Sequence, residues 1–266
     1  MNARYSYSFT GLAGVAMLLA ACSSDLTGAN KRPLQLSFTT RVAAPAASGI
    51  SASPDLVVGS NGDLVLTKVQ LVIDEIELGE DDDVDCVAEI ESGDDHGDMG
   101  DDRDEMEDEC EEISGDPLLV DIPVDAGVHS VITVPLAEGT YRKLEAKLEP
   151  ARAAAFSSLN PNLAGKSVRV EGTFKGNPFV FTSAVRASLE MEFDPPLVID
   201  ATTKNATISL DVARWFLDRN GAVIDPGSAT PGSNSLQQIE DNIRRSFHAF
   251  EDDDESGVDD HDEHRG

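Results

Sequence analysis

Positive charge is what this chain has least of. Its 266 residues carry 20 Lys and Arg against 50 Asp and Glu, a formal net charge of −30. Without a basic patch to displace counterions from phosphates, nucleic acid is disfavoured as a partner. Cysteine is nearly absent, at three residues. None of the three has the paired C-x-x-C spacing of a structural zinc site. Catalytic signatures are missing as well. The chain contains no G-x-S-x-G elbow and no H-E-x-x-H. Residues 162–167, NLAGKS, end like a phosphate-binding loop, but Asn160 stands where that loop needs its first glycine. Histidines are scattered: His96, His261 and His264 sit in acidic stretches, and His129 is alone in a strand-like segment. Carboxylates are so numerous that no pair can be ranked as an acid and its base.

The excess acid is concentrated. Residues 80–112 hold 19 carboxylates and one arginine, and residues 251–265 hold nine and one, so the rest of the chain is close to neutral. Both acidic segments read as solvated and disordered. The first, an insertion at 80–112, contains Cys86 and Cys110. At the N-terminus, Arg4 precedes an apolar run, GLAGVAMLLAA at residues 11–21, followed by Cys22. The run has the length of a signal-peptide core and is shorter than the ~20 residues that span a bilayer. Leu19-Ala20-Ala21-Cys22 resembles the lipobox of bacterial lipoproteins. That resemblance implies a signal peptide at 1–21, lipid on Cys22, a tether over 22–33 and a place in the cell envelope. Ser23 and Ser24, with no Asp after the cysteine, imply the outer membrane. If lipid consumes Cys22, Cys86 and Cys110 remain as an even pair in an oxidising compartment, where a disulfide is expected. Closing a loop of that length contributes ~3 kcal/mol in the chain-entropy model.

From residue 34 the apolar pattern has period two, which predicts strands. In DLVLTKVQLVIDEIEL, residues 63–78, Leu64 and Leu66 share one parity, Val69, Leu71 and Ile73 the other, and Ile76 and Leu78 the first again. Such changes predict β-bulges or a strand broken in two. Lys175-Gly176-Asn177 predicts a hairpin turn. Nine or ten strands are expected with no helix between them, which makes residues 34–218 a mainly β domain, an antiparallel β-sandwich. Helix is expected late. Asp211 caps a short segment reaching 218, a linker covers 219–234, and Ser235 with Gln238 forms a capping box for an amphipathic helix over 235–250. Leu236, Ile239, Ile243, Phe247 and Phe250 supply its apolar stripe. The tail, 251–266, follows.

Three stretches, LTKVQLVIDEIEL, PLLVDIPV and VPLAEGTYRKLEAKLEP, resemble the bacterial lipoprotein domain family catalogued as domain of unknown function 4382. The resemblance rests on Leu136, Gly139, Tyr141 and Leu144 in a turn that leads into a strand, and it spans a third to a half of the chain. It implies an immunoglobulin-like or transthyretin-like sandwich and no particular chemistry. The function expected is therefore a non-catalytic surface or periplasmic lipoprotein, a module that binds an envelope protein or a glycan. The alternative is a periplasmic hydrolase or an accessory enzyme subunit on the same fold. One stretch suggests a ligand. Residues 252–263, DDDESGVDDHDE, place Asp252, Asp254, Ser256, Gly257 and Glu263 at the first, third, fifth, sixth and twelfth positions of a calcium loop. Weak binding of Ca²⁺ is the expectation there, against an eighth position, Asp259, that is normally apolar and a chain that ends before an exit helix.

Overall fold

The computed structural model describes residues 31–40, 55–59, 62–80, 110–114, 117–125, 127–203 and 205–263. Cys22 and Cys86 lie outside them, as do the signal segment, most of the tether and most of the insertion. The side chain of Cys110 is likewise outside, so the expected disulfide is not described.

The described chain is mainly β and forms two sheets. One has the order β12-β11-β1-β6, from Phe247–Glu251, Asn205–Leu210, Lys31–Thr40 and Val128–Ala137. The other runs β10-β7-β3-β8-β9, from Ala187–Ile199, Gly139–Leu148, Leu64–Gly79, Val168–Phe174 and Asn177–Ser183. Three short strands, β2 (Leu56–Val58), β4 (Cys110–Ser114) and β5 (Leu118–Ile122), also pair with β3. The paired strands are antiparallel except β1 with β11, which are parallel. Alternation explains the packing. Leu34, Leu36 and Phe38 of β1 and Ala206, Ile208 and Leu210 of β11 face inward. They meet Leu144, Ala146 and Leu148 of β7 and Leu189, Met191 and Phe193 of β10 in one continuous core.

β3 organises the larger sheet. Val69, Gln70 and Leu71 pair with β5 on one edge and with β8 on the other. Leu78 and Gly79 pair with both β4 and β7. At Val72 the amide donates to Ser167, just before β8, and the carbonyl accepts from Glu149, just after β7. β8 and β7 thus follow one another along a single edge of β3, and β2, β5 and β4 share the opposite one. The parity changes have a structural counterpart. The ladders slip between Leu66 and Lys68 and between Asp74 and Glu77, and Glu75 takes a φ of 46° at the second slip. Each slip turns the strand's apolar set back towards the core, so Leu66, Val69, Ile73 and Ile76 are all buried despite their mixed parity.

The expected hairpin turn is present. Phe174 pairs with Asn177, and the two residues between them, Lys175 and Gly176, have φ values of 51° and 79°, both positive as a type I′ turn requires. Gly139 opens β7, and buried Tyr141 donates from its hydroxyl to the Ala137 carbonyl. The expected absence of helix between strands does not hold. Helix α1 (Ala154–Leu159) connects β7 to β8 and brings Phe156 against Val72, Ala151 and Leu163 on the outer face of the larger sheet.

The C-terminal third departs most from the sequence-based expectation. Asp211 caps α2, which covers only Val212–Trp215. Helix α3 runs from Asn234 to Arg244, and its N-cap is Ser233, whose hydroxyl accepts from the Leu236 amide, rather than Ser235. The helix stops well before residue 250. Phe247 and Phe250 belong to β12, which pairs with β11. Trp215 and Phe216 of the α2 region and Ile239 and Ile243 of α3 complete the core. The Trp215 indole N–H donates to Ser246 Oγ at 2.8 Å, tying the α2 segment to the start of β12.

Candidate metal centre

The acidic tail is not a solvated disordered segment over its described length. Strand β12 ends at Glu251, the chain turns through 252–259, and a short helix, α4 (Asp260–Glu263), follows. The reason lies on the outward face of the smaller sheet. There β1 and β11 present Ser37, Thr39, Asn205, Thr207 and Ser209, all buried. Small polar side chains at outward positions suit a face that another segment covers and bonds to. The covering segment is the 252–259 turn, here termed the strap. A β-carbon at Gly257 would lie 3.1 Å from Val128 Cγ2 on β6 and 3.3 Å from Thr39 Oγ1 on β1. The strap therefore crosses from β12 over β11 and β1 to β6. The φ of 78° at Gly257 suits the residue that makes this close approach.

Asp252 anchors it. Its residue is fully buried. One carboxylate oxygen, Oδ2, accepts from Thr207 Oγ1 at 2.9 Å and from the Gly257 amide at 3.0 Å, and Oδ1 accepts from the Ser256 amide at 2.8 Å. Beneath it a chain of bonds runs into the sheet. Ser37 Oγ donates to Asn205 Oδ1 at 2.6 Å, and Asn205 Nδ2 donates to Thr207 Oγ1 at 2.8 Å and to the Asp252 carbonyl at 2.9 Å. A buried carboxylate needs such donors, since leaving it without them costs several kcal/mol. Burial nonetheless pushes the Asp252 carboxyl above its ordinary range, against the lowering effect of the Thr207 hydroxyl and the two amides. Burial raises neighbouring Glu251 as well, with Asp253 adding like-charge repulsion.

Three carboxylates converge at this turn. Asp252, Asp254 and Asp260 each offer an oxygen, and the three oxygens lie within 4.8 Å of one another. The neighbours hold them in place: Asp254 Oδ1 accepts from the Ser256 amide at 3.0 Å, and Asp260 Oδ2 from the Asp253 amide at 2.8 Å. Carboxylates alone are hard donors suited to Ca²⁺ or Mg²⁺ rather than to zinc. Of the residues expected from sequence, Asp252 and Asp254 are in the cluster. Ser256 lies beside it, its amide on Asp252 and its hydroxyl 3.4 Å from Asp252 Oδ1. Glu263 ends α4, and its side chain is outside the described residues. Asp260 is the residue the sequence reading missed. It occupies the ninth position of the same loop formula, so the signal was present. The surroundings differ from those of the usual loop, with a strand leading in and one turn of helix leading out.

No family model, no curated protein and no solved structure matches the chain. Among the described residues, no helix is long and apolar enough to cross a membrane.

Proposed function

We propose that the protein is a non-catalytic lipoprotein of the bacterial envelope, a β-sandwich module that binds an envelope partner or glycan and whose C-terminal strap takes a divalent cation. The observation that carries the cation is the convergence of Asp252, Asp254 and Asp260 at the first, third and ninth positions of a calcium-loop spacing. Carboxylates this close repel one another by about 1 kcal/mol per pair at a water-like dielectric, and by more where solvent is partly excluded. A cation relieves that repulsion while the sheet holds Asp252 in place. The 80–112 insertion, with its 19 carboxylates, adds weaker and less selective sites.

Isothermal titration of the chain with calcium is expected to show several sites with dissociation constants of roughly 10⁻⁴–10⁻³ M, as in extracellular modules. The double substitution Asp254→Asn and Asp260→Asn is expected to remove the strap's share of the heat while leaving the fold intact, because Asp254 is exposed and Asp260 half-exposed. Equal heats from the variant and the parent chain at physiological salt would end the cation reading.

The anchor is tested separately. Leu19-Ala20-Ala21-Cys22 supports lipid on Cys22, and Ser23 and Ser24, with no Asp directly after the cysteine, support the outer membrane as the address. Cys22→Ser is expected to move the protein from the membrane fraction to the soluble fraction and to leave residues 1–21 uncleaved by intact mass. A variant that fractionates like the parent chain would count against the lipoprotein reading.

A further inference from the structure

A concave, solvent-open surface lies between the turn after α2, residues 218–220, and α3. It encloses ≈ 400 Å³, and every residue lining it is an Asp, Asn, Gln or Arg. Such side chains are planar. Each presents two donors, two acceptors or one of each side by side, the arrangement that matches neighbouring hydroxyls on a sugar ring. A site for an added strand or an amphipathic helix would instead need a free strand edge or an apolar groove.

Part of this surface is held rigid. Asn242 Nδ2 donates to the carbonyls of Arg214, Trp215 and Leu217 at 3.0, 3.1 and 2.8 Å, which fixes the amide and leaves its oxygen available. Asp218 Oδ1 accepts from the amides of Asn220 and Ala222, both at 2.8 Å. Two lining groups are unused: the guanidiniums of Arg219 and Arg245 have no ion pair or side-chain hydrogen bond among the described residues. The cavity also holds two carboxylates, but Asp218 is held by the Asn220 and Ala222 amides and Asp241 lies 2.9 Å from Arg244 Nη1, so the two arginines are the charges left to select a ligand. An arginine fork recognises a carboxylate or phosphate in bidentate fashion. The side chains of Gln237 and Gln238 are also without hydrogen bonds among the described residues.

We propose that this cavity binds a sugar carrying an anionic group, with Arg219 and Arg245 on the anion and the amides on the hydroxyls. The inference rests on the envelope-module reading, whose partner it specifies, and is independent of the cation. A failed titration here would leave the Cys22 fractionation and the calcium heats unchanged, so the two readings fail separately.

The test is titration of the full chain with a trimer of galacturonic acid, with glucose 6-phosphate and with a neutral galactose trimer. Saturable binding of the uronate is expected if the anion is a carboxylate, and of the sugar phosphate if it is a phosphate. The neutral trimer should bind at least about tenfold more weakly than the better of the two. The double substitution Arg219→Ala and Arg245→Ala should lower affinity for the anionic sugar by at least about tenfold. Its melting temperature should match the parent chain, since both residues are exposed. Three results would overturn the proposal. They are no heat from either anionic sugar, equal affinity in the double variant, or arginine-dependent binding of a peptide spanning residues 91–109 with none of either sugar.

Discussion

Asp252→Ala is expected to release the strap from the smaller sheet and to lower the unfolding free energy by about 2–3 kcal/mol, the scale for leaving buried donors without their charged acceptor. The Thr207 hydroxyl and the Ser256 and Gly257 amides all lose their partner at once. Chemical denaturation gives the free energy, and hydrogen exchange at Ser256 and Gly257 reports the strap directly. Unchanged protection at those amides would show that Asp252 does not hold it. Asp252→Asn separates charge from shape. Burial raises the Asp252 pKa above its ordinary 3.8, so the native state takes up the proton more readily than the unfolded chain. Native stability is therefore penalised as pH rises from that ordinary value through the raised one, because the carboxylate must then be ionised while buried. In chelator, the parent chain should lose stability across that window relative to Asp252→Asn, which lacks this carboxyl and shares the raised Glu251. If the strap takes calcium as proposed, the ion binds the ionised form, so its affinity should rise with pH through the same window, with a proton released as it binds.

Gly172→Ala is expected to cost about 3 kcal/mol, the upper end of what overpacking a core usually does. The position is in mid-strand, where glycine ordinarily only weakens a sheet. Here a β-carbon would lie 2.0 Å from the Val65 carbonyl oxygen and 3.1 Å from Leu66 Cα. Both atoms belong to the backbone of β3, beside its first register slip, so neither can yield without breaking the ladder. For a domain of this size that cost corresponds to a fall of roughly 6–12 °C in melting temperature. Gly176→Ala makes a useful contrast, since a β-carbon there meets nothing within 4 Å and only the positive φ opposes it. A Gly172→Ala melting temperature equal to that of the parent chain would mean that β3 and β8 can part without penalty.

The longer strands were legible in the sequence because they carry their own alternation, whereas β4 begins in the stretch read as disordered and β12 in the one read as helix. The two bulges of β3 were legible for the same reason: a parity change in LVLTKVQLVIDEIEL has few other physical meanings. The helix over 235–250 was overextended because Phe247 and Phe250 continue the i, i+4, i+3 spacing set by Ile239 and Ile243. A five-residue strand following a helix is indistinguishable from one more turn when only periodicity is read. Its true identity depends on β11, whose residues lie some forty positions away and carry no local signal. The tail was misread for a related reason. Its composition is that of a disordered segment, yet Asp252 is held by Asn205 and Thr207, contacts of sequence separation 47 and 45. The one sign visible in advance was the run of outward hydroxyls and amides on β1 and β11, which are unusual on a bare face and sensible on a covered one.

The two ends of the acidic insertion meet as neighbours in a ladder. Gly79 and Cys110 are paired residues, and the antiparallel rungs continue back to Ile76 and Ser114. The backbone ladder thus brings the two ends of the insertion together at Gly79 and Cys110. In engineering terms this makes the tip of the β3–β4 stem a docking port: a passenger whose own termini lie close together could be spliced between residues 80 and 110. The chain could also be reopened there as a circular permutant, with both new ends leaving from adjacent strands.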